Sequence, residues 1–204
     1  VVTAVTAKSL LISEGTGKDD NIVIWLNAAH EYQVGQYLKV TGTLVARNGN
    51  NQFDATAEIV ALTDTAPVIE DTAATWTATE LDAFIATTDA ERGMDLISFV
   101  GTLSVTTNTK GVTYYNIIVP GSSNQFSLTS VTGALAATLE NGKRYNFTGY
   151  IVDVSSSKYG NVYLTKAEAV GYDAVESVTI AGEDSVELSV GKSSINRFCF
   201  TCNS

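Results

Sequence analysis

Gly35-Gln-Tyr-Leu-Lys-Val-Thr-Gly42 is echoed by Gly142-Lys-Arg-Tyr-Asn-Phe-Thr-Gly149, and these two octapeptides decide how the chain is read. Both of their glycines recur at one offset, 107 residues (142 − 35 and 149 − 42). Each octapeptide runs on into a short apolar stretch, Thr43-Leu-Val45 in one case and Tyr150-Ile-Val152 in the other. A third match comes next, Ala57-Glu-Ile-Val60 with Ala167-Glu-Ala-Val170, at an offset of 110 (167 − 57), as a slightly longer loop in the second copy would give. Three matches in the same order mark an internal duplication.

Around the octapeptides, Val, Thr, Ile and Tyr alternate with polar residues and are punctuated by Gly, Asn, Asp and Ser, the pattern of an all-β chain. Each copy reads as five strands: 1–7, 8–13, 21–26, 36–47 and 52–62 in the first, then 96–107, 112–119, 125–130, 143–155 and 162–170 in the second. A non-strand segment separates the third and fourth strands of each, from Asn27 to Val34 and from Thr132 to Glu140. Five strands with an insert at that place is the order of an OB-type barrel. Gly42 and Gly149 fall within the long fourth strands, where a small barrel must bend sharply to close. The fold expected is therefore two tandem five-stranded OB-type barrels, at 1–63 and 96–171.

Residues 64–95 read as a linker that Pro67 stiffens. Within it, Thr77-Ala-Thr-Glu80 is a capping box, with Trp76 and Leu81 at staple positions. Leu81, Phe84 and Ile85 then form one apolar stripe, predicting a helix over 78–88 that ends before Gly93. The tail, 172–204, differs from both barrels. Val175-Glu-Ser-Val-Thr-Ile180 and Val186-Glu-Leu-Ser-Val-Gly191 resemble the opening strands of a bacterial Ig-like module. So short a segment cannot complete a sandwich of roughly a hundred residues, so the tail is expected to be a truncated β-sandwich, or else strands added to a barrel.

With 204 residues, 45% of them apolar, the chain can bury a modest core in each copy. Its longest apolar run, Ile22-Val-Ile-Trp-Leu26, has the length of a strand and falls far short of the roughly 18 residues of a membrane span. Twelve basic residues against twenty-two acidic ones leave a net charge of −10, which disfavours nucleic acid as a partner because phosphate binding needs clustered cations. Lys39, Arg47, Lys143, Arg144 and Lys158 are spread out instead. Cys199 and Cys202 have redox or half-zinc spacing, yet no second ligand pair exists and His30 is the sole histidine. They read as strand residues. The chain opens at Val1 with no signal-like segment, so any leader is expected to have been removed or left out.

Little points to catalysis. His30 would have to be the base of any Ser-His-Asp arrangement, and no Gly-x-Ser-x-Gly elbow occurs. Acids such as Asp19, Asp54, Glu70 and Asp89 fall at turns and linkers, where solvated charge is the simpler reading than a glycosidase pair. Lys18-Asp-Asp-Asn21 lacks the spacing of a calcium loop and reads as a polar hairpin. No cofactor or metal is expected, and the chain reads as a non-enzyme.

Binding surfaces remain. OB barrels use the outer face of strands two and three with the loops joining strands one to two and four to five. If Ile22, Ile24 and Leu26 face the core, Val23 and Trp25 face outward; if Tyr115, Ile117 and Val119 face inward, Tyr114 and Asn116 face out. The loops between strands four and five offer Asn48, Gly49, Asn50 and Asn51 in one copy, and Lys158 and Tyr159 in the other. An exposed aromatic beside amides suits a sugar ring and also suits a nucleobase. Alternatively, Trp25 and Tyr114 pack against the helix or the other barrel.

Leu11-Ile-Ser-Glu-Gly-Thr-Gly17, Ile22–Leu26 and Tyr32-Gln-Val-Gly-Gln-Tyr-Leu-Lys-Val-Thr-Gly-Thr-Leu44 resemble the OB-type modules of exported Bacteroidetes proteins, and also those attached to some secreted bacterial nucleases. The resemblance covers most of 1–63 and, more loosely, 96–171. It implies a binding or scaffold module of a cell-surface or secreted protein, of the adhesion type, with a glycan or protein ligand. Any lipid anchor would lie outside this chain. The alternative it implies is an accessory single-stranded nucleic-acid-binding module of a secreted nuclease. Fold is implied far more strongly than activity.

Overall fold

The computed structural model describes residues 1–88 and 92–171. The expected Ig-like tail, with Cys199 and Cys202, lies outside the described residues, as do Asp89 and Glu91. In the first half the strands are β1 (Val2–Val5), β2 (Ser9–Ser13), β3 (Asn21–Trp25), β4 (Leu38–Thr41), β5 (Leu44–Arg47), β6 (Asn50–Phe53) and β7 (Glu58–Ala61). After these come β8 (Ala74–Thr75), α1 (Ala78–Ala86), β9 (Asp95–Thr107), β10 (Thr113–Ile118), β11 (Gln125–Leu128), α2 (Gly133–Ala136), β12 (Arg144–Val154) and β13 (Tyr159–Ala169). Both halves belong to one compact unit, Val1–Tyr172.

The second copy closes. Its sheet runs β10-β11-β13-β12-β9, and β9 pairs again with β10, so a five-stranded barrel has no free edge. β11 and β13 are parallel while the other barrel pairs are antiparallel. The ladder between β9 and β12 is long, from Thr102↔Arg144 to Asp95↔Ile151. Gly149 makes it possible: β12 bulges against β13 between Thr148 and Gly149, and a Cβ there would sit 2.5 Å from the Tyr163 carbonyl oxygen. Phe99, Phe126, Phe147, Ile117 and Val162 fill the interior.

Helix α1 begins where the capping box placed it. The Glu80 amide donates to Thr77 Oγ1 at 3.4 Å, and the Thr77 amide donates to Glu80 Oε2 at 2.6 Å. Its stripe of Leu81, Phe84 and Ile85 is buried in the same core as the barrel interior. Asp82 fastens the helix to the β10–β11 loop, accepting from Ser122 Oγ and, at 2.8 Å, from Asn124 Nδ2. Trp76 lies against Phe84, ring centroids 5.8 Å apart, rather than only over Leu81.

The first half has the same strand order but does not form the expected closed barrel. Its five-stranded sheet, β1-β2-β3-β6-β5, is open, and β4 pairs only with β7. The expected fourth strand, 36–47, breaks at Gly42 into β4 and β5, and the expected fifth breaks at Asp54–Thr56 into β6 and β7. Both breaks meet: a Cβ on Gly42 would lie 3.1 Å from the Ala57 Cα, while Asp54 accepts from the Thr56 amide at 2.9 Å in a tight turn. Across the gap between β1 and β4, Val2 alone bonds the chain ahead of β4, donating to the Gln36 carbonyl at 2.9 Å and accepting from the Gly35 amide at 2.8 Å. Val2, Leu10, Ile24 and Leu38 make the small core beneath.

A third apolar cluster lies between the halves. Ala4, Leu11 and Val23 on the outer face of the first sheet pack against Tyr150, Val152 and Tyr163 on the outer face of the second barrel. A buried chain of hydroxyls crosses there, Tyr163 Oη to Ser9 Oγ at 2.7 Å and Ser9 Oγ to Thr6 Oγ1 at 2.6 Å. Burial pushes the Tyr163 phenol up to about 12, against the opposing pull of the Ser9 hydrogen bond.

Phe147 is fully buried and touches the rings of Phe99 and Tyr145. Phe147→Ala is expected to lower the unfolding free energy by about 3–5 kcal/mol. Val34→Ala, at a side chain 60% exposed, is expected to stay within about 0.5 kcal/mol. Urea denaturation of the two variants checks both values.

Candidate functional site

The period of two along each strand of the closed barrel sends alternate side chains outward. Ladder registers then line these up across strands. Ser104 faces Asn116, Asn116 faces Ser127, Ser127 faces Asn161, and Asn161 faces Asp153, a polar row through β9, β10, β11, β13 and β12. Beside it, Thr106 faces Tyr114. The turn joining β12 to β13 rises at the edge, with Ser155, Ser157 and Tyr159 along it. All of these except Ser104 and Asp153 bound a shallow groove of about 410 Å³.

Of the residues expected at a binding face, Tyr114, Asn116 and Tyr159 come together as walls of this one groove. Tyr114 is 45% exposed, and Val112 just before the strand and Ile118 at its end are exposed as well, so β10 presents apolar side chains to solvent. Lys158 stands exposed at the tip of the β12–β13 turn, in a left-handed conformation at φ 63°. Among the described residues that line the groove, none is charged.

The first copy puts its corresponding face to another use. Val23, expected to face solvent, is 6% exposed and packs against the second barrel. Asn50, expected in an open loop, donates from Nδ2 to the Val152 carbonyl. Asn48, at φ 47°, hydrogen-bonds the Asp153 side chain. All three are therefore interface residues. The reason is physical: Ala4, Leu11 and Val23 make the outer side of this sheet apolar, and the second barrel covers it. Trp25 remains half-buried, with the Arg47 guanidinium 5.5 Å from the centre of its ring.

Asp153 stands where the groove meets the first half. It accepts from Asn161 Nδ2 and hydrogen-bonds Asn48. Burial raises its pKa, although these hydrogen bonds and the nearby Arg47 and Arg92 pull the other way. Ser127, Asn161, Thr106 and Asp153 were not anticipated from the sequence. Their signal was the parity of β11 and β13, in which Ser127 alternates with Phe126 and Leu128, and Asn161 with Gly160 and Val162.

A second hollow, of about 340 Å³, lies between α1 and the chain around Lys18, Arg92 and Asp95. It contains none of the expected site residues. His30, the sole histidine, is half-buried, and its Nε2–H donates to the Thr6 carbonyl at 2.8 Å. Among the described residues, no group of three or more His, Cys, Asp or Glu is arranged to hold a metal ion. No described helix is long and apolar enough to cross a membrane.

No protein-family model and no curated protein matches the chain. Among solved structures it is similar to one described as the structure of murine DNA binding protein bound with ds DNA, at 9% identity over 86% of this chain and 97% of that one, with a TM-score of 0.32. A similarity of that degree carries no conclusion about fold or ligand.

Because the pKa of Asp153 is raised in the folded state, the folded chain holds that proton more tightly than the unfolded chain does. The stability linked to Asp153 is therefore greatest at low pH and falls as pH rises through the range just above the ordinary carboxylate value. Asp153→Asn removes this step. Urea denaturation between about pH 3 and 7 should show the variant gaining on the wild type as pH rises through that range; a difference that is constant or shrinks would contradict it.

Proposed function

We propose that the chain is a non-catalytic binding module whose second barrel takes a saccharide in the groove bounded by Tyr114 and Tyr159. The observation that carries this reading is the meeting of two tyrosines with the amides of Asn116 and Asn161 and the hydroxyls of Thr106 and Ser127 on one uncharged surface. A sugar ring has an apolar face of C–H groups and a rim of hydroxyls. Tyrosine rings match the first, and amides and hydroxyls, which both donate and accept, match the second. The exposed apolar side chains of β10 add contact area.

Charge argues against a polyanion. Phosphate binding draws its affinity from cations that displace counterions, whereas the groove lining is neutral and the chain carries a net charge of −10. The carboxylate at the end of the groove, Asp153, is already engaged by Asn161 and Asn48, which suits a structural role better than a catalytic one. Placement in a cell-surface or secreted protein is part of the same proposal and rests on the resemblance of the modules.

A glycan array probed with the purified chain, with Tyr114→Ala and Tyr159→Ala beside it and single-stranded DNA as control, tests the reading. Binding to a defined saccharide is expected, weakened by about tenfold or more in each variant, since removing a stacked aromatic at the centre of a site costs on the order of 1–3 kcal/mol. DNA binding that falls steeply with added salt would instead support the accessory nucleic-acid module.

A further inference from the structure

We propose, building on the saccharide reading of the groove, that the site continues across the junction onto the first half, so that its ligand is a linear oligosaccharide of several rings. The polar row is longer than one sugar. From Asn116 on β10 to Asp153 on β12 it crosses three inter-strand spacings, about 14 Å at the usual separation of strands. A single ring would cover only part of this row, and several linked rings would span it.

Nor does the row stop at Asp153. The β5–β6 hairpin docks at that point, with Asn48 on the Asp153 side chain and Asn50 on the Val152 carbonyl. Arg47, the residue before Asn48, lies close enough to Asp153 and to Tyr163 to act on the charge of each. Its guanidinium lies over the half-buried Trp25 ring, 5.5 Å from the centroid, while the arginine itself remains exposed. A guanidinium attracted to the face of an indole keeps its planar set of N–H donors. Uncharged hydroxyls and ring oxygens can accept from these donors. The track thus runs from Tyr114 through Asn116, Ser127 and Asn161 to Arg47, with Trp25 a positioning residue beneath the arginine.

Two features of the fold make the continuation possible. The open first sheet gives its outer face to the second barrel, which brings its β5–β6 hairpin to the end of the groove. The interface between them is buried and hydrogen-bonded through Tyr163 and Ser9, so the two parts of the track are held at a fixed distance. A preorganised track of this kind avoids the ordering cost that two independently moving modules would incur.

The test is an array carrying linear oligosaccharides of one to six rings in gluco, manno, xylo and galacto series, read with the wild-type chain, Arg47→Ala and Tyr114→Ala. Thermal unfolding first confirms that each variant is folded. Affinity is expected to climb by about tenfold or more between one and four rings, and Arg47→Ala to remove the last part of that climb while leaving the shortest binders unchanged. Tyr114→Ala is expected to weaken all lengths. If affinity is the same for one ring and six, and Arg47→Ala matches the wild type while Tyr114→Ala still abolishes binding, the continuation is overturned and the groove stands. If no series binds at any length, the groove reading falls and the continuation with it.

Discussion

The architecture depends on one strand, β12, running unbroken through Gly149. Its two edges pair with β9 and β13, which brings β9 back to β10 to close the barrel, and its outer face receives the first half through Tyr150, Val152 and Asp153. A side chain at Gly149 would collide with the Tyr163 carbonyl, so the bulge that turns β12 around the barrel depends on the missing Cβ. Were the strand to break there, the barrel would open and the platform on which the first half rests would lose its register. Closure and docking are thus two results of one backbone constraint.

At the corresponding glycine of the first copy the constraint is relaxed, and the barrel stays open. The strand divides at Gly42, its two pieces pair with different partners, and the link between β1 and the chain before β4 shrinks to the backbone bonds of Val2. The outer side of this sheet is apolar at Ala4, Leu11 and Val23, and the second barrel hides it. The duplicated pattern therefore produces two unlike objects: a closed barrel with one outer face free, and a partial barrel whose outer face is spent on the contact. Divergence of this kind leaves one copy with a free outer face while the other packs against it.

Burial at the contact is not purely apolar. The Tyr163–Ser9–Thr6 hydroxyl chain is enclosed by the cluster of Leu11, Val23, Tyr150 and Val152, and each hydroxyl in it has a partner. Apolar packing tolerates sliding, whereas a buried hydroxyl left without a partner costs about 1–3 kcal/mol. The chain of hydroxyls therefore fixes register where packing alone would leave it loose, and it keeps the β5–β6 hairpin against Asp153.

Sequence alone determined the local features. The capping box at Thr77 and Glu80, the stripe of Leu81, Phe84 and Ile85, the inward set of Ile117 and Val119, and the strand order of the second barrel follow from periodicity and turn chemistry, which act over a few residues. The outward position of Tyr114 and Asn116 was legible in the same way, because parity is a property of the strand. Closure was not legible, since Gly42 and Gly149 sit in closely similar octapeptides, and whether a strand bends or breaks depends on what opposes it: Ala57 in one copy, Tyr163 in the other. Nor was the fate of Val23, on the outer side of its strand, or of Asn48 and Asn50, in the loop beyond, because the barrel that covers them lies a hundred residues further along the chain. Parity tells a side chain which way to point; only the tertiary structure decides whether water or protein is waiting there.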